Sequence, residues 1–324
     1  MSRSQRNARA TGGKGKRKSK VATFPYAFKS FVGHLEGSGK ALHTIASYRF
    51  DLLDFKNFLE SEQKKLERFE LSHLTRADLE RYQNFLKRNG HKTNTRRRRL
   101  MTIRKFMHYL TGRKKIEVDI AKKFPAPEKV ERIPETVSIS DLLGKLAALT
   151  PGSPIEERNR ALVSFIAETG CQVNEATKLQ WSALDFETHT VKIYGKNERT
   201  LKLSKELCAR FDELRKILGE TKGDGPCFIG YNRYGPLKAA ISSRGVELLL
   251  KSYAARLGYE DLGPRLLRHS AVIQWYVSGM NESEIQARLG LKTKYSFRVY
   301  APLFAKIRET DFGSKSSSET TSIS

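Results

Sequence analysis

The residues best placed to do chemistry fall in Gly263-Pro-Arg-Leu-Leu-Arg-His-Ser270 and at Tyr300, thirty-two positions beyond Arg268. Arg265 and Arg268 are three apart, so a helix carries them on one face, where both guanidiniums can converge on a single anion. Between them and Tyr300, Asn281 stands three positions before Glu284. That spacing caps a short helix, and the apolar-periodic run after it stops at Gly290. Two cations, a capped helix and a downstream phenol are what a nucleophile directed at a phosphate requires. The competing reading is a buried helix pair with surface arginines.

Charge favours an anionic partner. The 324 residues carry 60 Lys+Arg against 35 Asp+Glu, a net +25, with 39% hydrophobic residues, so the chain can bury real cores while remaining strongly basic. Eight of the cations lie between Arg3 and Lys20 with no acid among them, which leaves +17 on the remainder. Residues 1–21 are therefore expected as a disordered basic arm and 313–324 as a disordered Ser/Thr-rich tail. Cys171, Cys208 and Cys227 show neither metal-like pairing nor a disulfide framework. No run of twenty apolar residues and no signal-like apolar segment occurs, so a cytoplasmic protein without a membrane span is expected, and no motif calls for a cofactor, metal or small-molecule substrate.

The elements that must position these residues are mostly helical. Apolar spacing of three and four predicts helices over Tyr26 to Leu35, Ala41 to Ser61, Thr75 to Asn89 and Thr93 to Thr111. In the last, Arg96, Arg97, Arg98 and Arg99 precede Leu100, Ile103, Phe106 and Leu110, so a basic ridge flanks an apolar stripe. With Arg104 and Lys129, these arginines are the expected DNA contacts. Pro125, Pro127 and Pro134 mark residues 114–134 as a linker. Beyond it, Ser140 to Leu149 and Asn159 to Glu168 read as helices, with a further helix reaching Leu179. Val191 to Tyr194 and Arg199 to Leu203 read as a β-hairpin with Lys196 near its tip, and the remainder to about Arg308 as mostly helical. The fold class is thus mainly α with a small β-sheet, an α+β protein of two domains, 22–113 and 135–312.

At this level of detail the chain resembles the tyrosine recombinases, the phage integrase and Xer group. The first domain is similar to their helical, SAM-like core-binding module at Thr44-Ile45, Tyr48-Arg49, Asp51-Leu52, Phe55, Phe58-Leu59, Leu74-Thr75, Asp78, Tyr82 and Phe85-Leu86. Thr93, Thr95, Leu100, Ile103-Arg104, Phe106 and Tyr109-Leu110 continue the register. The linker prolines, Asp185, Gly195-Lys196, Leu267-Arg268-His269, Leu289-Gly290 and Tyr300 follow in family order.

The resemblance implies a C-shaped clamp on duplex DNA, acting as a homo-oligomer or with a partner recombinase. It also implies a tyrosine that attacks a phosphodiester, two arginines on the nonbridging oxygens and a lysine that protonates the leaving 5′ oxygen, with no metal. Lys196, Arg268 and Tyr300 match those roles. Three positions depart from the family pattern: Gln172 stands where the first arginine belongs, Arg265 at the motif histidine and Leu291 at the later histidine. His269 does not repair the pattern, since the family commonly has histidine there too. Two functions follow. One is a DNA-binding protein with absent or weakened strand cleavage; the other is an active recombinase or integrase in which Arg265 compensates for the missing arginine.

Overall fold

A computed structural model describes residues 23–62, 69–130, 133–195, 197–219 and 225–309. The expected basic arm and C-terminal tail lie outside the described residues, as does Lys196. The chain divides into two compact units between Val130 and Glu131.

The first unit contains α1 (Phe24–Gly37), α2 (Leu42–Ser61), α3 (Arg76–Arg88) and α4 (Thr93–Gly112), with a 3-10 turn at Leu71–His73. Pro25 sits in the first turn of α1, where its missing N–H costs nothing. Thr75 and Asp78 form a reciprocal capping box at the start of α3. The apolar faces meet in an aromatic core of Phe24, Phe31, Phe55, Tyr82 and Phe106. Phe31 meets Phe106 edge-on at 5.4 Å between ring centres, and Phe55 meets Tyr82 at 4.9 Å.

Two expectations are corrected in this unit. Residues 114–130 are not a free linker, since Ile116, Ala121 and Phe124 are buried in the unit's core. Arg104 donates to the carbonyls of Ala121 and Phe124, Arg97 donates to Pro127 O at 2.8 Å, and Asn94 pairs with both the N–H and the carbonyl of Val130. The prolines stop helix here without releasing the chain, because side chains of α4 satisfy the carbonyls that helix would otherwise use.

The second correction concerns the basic ridge. Arg99 is buried, 2.7 Å from Asp54 and 4.0 Å from Asp51, and Tyr82 also donates to Asp54 at 2.6 Å. Burial raises the Asp51 carboxyl above its ordinary value, against the Thr102 hydroxyl and the two arginines Arg98 and Arg99. Arg99 therefore neutralises buried acids and is not a surface cation.

The second unit is built on α6 (Pro154–Thr169), flanked by α5 (Ile139–Ala148), α8 (Lys205–Ile217) and α10 (Pro264–Val277), with α9 (Ser243–Leu257) packed on α5 and α10. Leu162, Phe165 and Ile166 of α6 share a core with Phe211, Phe228, Leu250 and Leu267. A second cluster joins Trp275 of α10, Ile285 of α11 (Glu282–Arg288), Leu289, Phe297, Tyr300 and Phe304. A 3-10 segment Lys294–Tyr300 leads into helical residues 301–309.

Strands β1 (Leu184–Asp185), β2 (Thr190–Ile193) and β3 (Arg199–Lys202) form one antiparallel sheet in that order. α6 starts at Pro154 and not at Asn159, because the Ser153 hydroxyl caps the Glu156 N–H at 3.3 Å. The expected helix to Leu179 is a single turn, α7 (Val173–Ala176). A second hairpin, β4 (Ile229–Asn232) with β5 (Gly235–Ala240), occupies a stretch expected to be helical. Asn232 Oδ1 accepts the Tyr234 N–H at 2.8 Å, and Gly235 turns at φ +125°, so turn chemistry overrides the helix-forming Lys238-Ala-Ala240.

Replacing Arg104 by alanine removes its two ties to the 114–130 strap, leaving those from Arg97 and Asn94. The substitution should cost the first unit about 1–3 kcal/mol in denaturant melts. It should also make residues 114–130 newly cleavable by protease, where the unsubstituted chain resists.

A candidate active site around Tyr300

Local spacing assembles half of this site. On α10, Arg265, Arg268 and His269 stand at i, i+3 and i+4, so one helix face presents all three. The other half arrives from the 3-10 segment, where Tyr300 is 3% exposed and packs against Phe297 and Phe304, with ring centres 5.3 and 6.0 Å away. The Tyr300 hydroxyl lies 2.8 Å from His269 Nδ1.

Charge is concentrated around that oxygen. Burial raises the Tyr300 phenol above its ordinary value, while Arg268 and then Arg265 act in the opposite direction. Burial, reinforced by Arg265 and Arg268, pushes His269 down to about 4, so its imidazole is neutral at physiological pH. Both guanidiniums thus act on the phenol and on the imidazole. A buried hydroxyl beside a neutral base and two cations is an arrangement for nucleophilic attack on an anionic electrophile.

Arg268 is held in place by backbone. It donates to Gly170 O at 2.6 Å and to Leu289 O at 3.1 Å, which uses two of its five N–H groups. Gly170 ends α6 at φ +58°, and a Cβ there would fall 2.9 Å from the Trp275 ring, so only glycine lets this carbonyl reach the guanidinium.

A bidentate pair organises the remainder. Arg199 on β3 meets both carboxylate oxygens of Glu175 at 2.7 and 3.0 Å, and its Nε donates to Arg288 O at 2.7 Å. Burial would raise Glu175, but Arg199 and the Gln172 N–H, at 2.7 Å, hold it below its ordinary value. Gly290, at φ +69°, lies so close to the β2–β3 turn that a Cβ would be 2.8 Å from that of Asn197. The turn that bears Lys196 in sequence is therefore seated against Leu289-Gly290 through Asn197.

The altered positions behave differently from the family roles. Gln172 is exposed at the start of α7, and Leu291 is partly buried against the Trp275 and Tyr300 cluster, with its backbone paired to Gln286. Sequence reasoning noted His269 but gave it no role in the site, although its i+4 position relative to Arg265 was a usable signal. It also missed Arg199 and Glu175, for which no local signal exists, since the pair is separated by 24 residues.

Of the expected DNA contacts, Arg99 and Arg104 are committed to the fold, and Arg97 is tied to Pro127 O. Arg98 is exposed but pairs with Asp51 at 2.9 Å, and Arg96 is half-buried beside Thr93. Lys129 is engaged within the structure as well. Among the described residues no cluster of His, Cys, Asp and Glu could hold a metal ion, and no helix is long and apolar enough to cross a membrane.

Two family descriptions match the chain: the phage integrase family over residues 137–306, and the phage integrase N-terminal SAM-like domain over residues 28–114. The chain belongs to the phage integrase family of tyrosine recombinases. The tyrosine recombinase XerC of Herpetosiphon aurantiacus is 29% identical over 265 residues, covering 80% of this chain and 84% of that protein. XerD of Bifidobacterium longum is 25% identical, covering 81% and 87%.

Solved structures share the fold at lower identity. The XerH recombinase in a post-cleavage complex with palindromic difH substrate aligns with a TM-score of 0.67 at 18% identity, covering 88% of this chain and 82% of that one. A lambda integrase dimer bound to a COC′ core site aligns with 0.67 at 13% identity, covering 86% and 95%.

Because Arg199 neutralises a partly buried carboxylate, Arg199→Ala should destabilise the second unit by about 3–5 kcal/mol in denaturant melts. Glu175 has a folded pKa below its ordinary 4.5. Its contribution to stability is complete above pH 4.5 and is lost as pH falls through the lower folded value. The variant should lose that segment of the stability–pH curve.

Proposed function

We propose that this protein binds duplex DNA and cleaves it through Tyr300 only weakly, the phosphate-holding half of the site being intact and the first arginine absent. The observation that carries this reading is the seating of Arg268 on two backbone carbonyls while Arg265 and Arg268 both act on the Tyr300 oxygen. The residues that would bind the scissile phosphate stay cationic whether or not chemistry follows. Gln172 offers an amide in place of a guanidinium and Leu291 offers no donor, and losing one oxyanion donor costs roughly 100 to 1000-fold in rate.

The net +25 supports a polyanionic partner, and the XerH and lambda integrase neighbours are themselves complexes with DNA. Assembly on DNA with a second copy or a partner recombinase fits the same reading, as does a cytoplasmic, nucleoid-associated location. Lys196 keeps the leaving-group role that the resemblance implies. A second reading, full activity with Arg265 as the compensating clamp, is favoured by the electrostatic influence of the exposed Arg265 on both Tyr300 and His269.

The test uses duplexes recovered from a random pool by binding to the full chain. Affinity should fall steeply with salt, each phosphate contact adding nearly one unit to the slope of log affinity against log salt. Arg268→Ala should weaken binding and Tyr300→Phe should leave it nearly unchanged. On nicked suicide versions of these duplexes, the covalent adduct should form slowly, and Gln172→Arg should accelerate it by roughly 100 to 1000-fold. An adduct formed by the unsubstituted chain as fast as by Gln172→Arg would replace the weakened-site reading with the Arg265-compensated one. Salt-independent affinity would remove the DNA-binding reading altogether.

A further inference from the structure

The family's motif histidine is Arg265 here, and a guanidinium cannot accept a proton near neutral pH. Attack by a phenol still requires its proton to go somewhere. Among the described residues, the basic atom that touches the Tyr300 hydroxyl is His269 Nδ1, at 2.8 Å, with the ring centres 5.3 Å apart and inclined at 66°. We infer that His269 is a catalytic residue of this chain, the general base that takes the Tyr300 proton during strand cleavage and returns it during religation. This assignment rests on the strand-transfer part of the proposed function.

In the forward step, Tyr300 Oη forms a bond to phosphorus while its O–H bond breaks, and the proton passes to Nδ1. The phosphorus–O5′ bond breaks, and the 5′ oxygen leaves as an alcohol with a proton from the donor that the resemblance places at Lys196. Religation reverses each transfer, so His269⁺ protonates the departing phenol. The imidazole must hold its own proton on Nε2 to present a lone pair at Nδ1.

The charged and titratable groups acting on it are Arg265 and Arg268 from its own helix, with Tyr300 facing it from the 3-10 segment. In the free protein, burial and the two arginines hold the imidazole neutral, the state a base needs. A phosphodiester docked between the arginines offsets their charge and strengthens the base as substrate arrives. What sets His269 apart from a packing histidine is the 2.8 Å contact between its Nδ1 and the attacking oxygen.

The experiment measures single-turnover adduct formation on the pool-selected duplexes, resynthesised with a 5′-bridging sulphur. The thiolate leaves without a proton, so the rate reads the base and not the acid. The unsubstituted chain and the Gln172→Arg variant are each compared with their His269→Gln derivatives.

The expected result is a loss of at least about 100-fold on His269→Gln, within the usual range for general-base catalysis, with DNA affinity retained. The rate of the parent should fall as pH drops through the base's pKa in the complex, and His269→Gln should lack that acid limb. A His269→Gly derivative should recover rate with added imidazole, which a structural role would not produce.

If the parents form adduct and His269→Gln stays within threefold of them with the same pH profile, the general-base assignment is overturned while strand transfer through Tyr300 stands. If the unsubstituted chain is silent but Gln172→Arg reacts in a His269-dependent way, the assignment stands and the native chain binds without cleaving. If neither parent reacts, strand transfer and the assignment both fall.

Discussion

Arg268 is the constraint from which the second unit's site takes its shape. Its guanidinium is partly buried, and among the described residues two main-chain carbonyls, Gly170 O and Leu289 O, hold it and no carboxylate pairs with it. Burial works against its charge, while Tyr300 and Glu175 are the groups that favour it. Carbonyl dipoles fix a cation's position without cancelling it, so the remaining donors and the full charge stay directed at the site. Had a carboxylate filled that place, an incoming phosphate would compete with it.

Everything adjacent follows from keeping those two carbonyls where they are. Gly170 must be glycine, because the left-handed end of α6 leaves no room for a Cβ against Trp275. Leu289 O is placed by α11, whose Asn281 and Glu284 cap each other, and Gly290 then admits the Asn197 side of the β2–β3 turn. The Glu175–Arg199 pair fastens α7 to β3, and Arg199 Nε fastens both to Arg288 O. A chain of polar ties thus runs from the end of α6 through the hairpin to the segment before Tyr300. Gln172 joins this chain through its backbone N–H to Glu175, and Leu291 sits beside it with its backbone paired to Gln286.

The first unit shows the opposite use of arginine. Arg99 is spent on Asp51 and Asp54, Arg104 and Arg97 on the carbonyls of the strap, and Arg98 on Asp51. Ionised arginine suits both tasks because its planar fork satisfies several acceptors at once. A run of four arginines in sequence therefore says little about how many are left for a nucleic acid. In this helix Arg98 is exposed even while paired with Asp51, whereas Arg99 is buried.

Sequence alone determined what depends on near neighbours. The periods of α1 to α4, the Asn281 and Thr75 caps, the β2–β3 hairpin and the shared helix face of Arg265 and Arg268 are all set by residues within a few positions of one another. The ordered family resemblance added Tyr300 and the three altered positions. Tertiary structure alone decided which cations are neutralised, that residues 114–130 are strapped down, that residues 229–240 pair as strands, and that His269 meets Tyr300. Each of these depends on partners brought together by packing: Arg99 lies 45 residues from Asp54, and His269 lies 31 from Tyr300. Local spacing can place a side chain on a face, but only the packed core determines what stands opposite it.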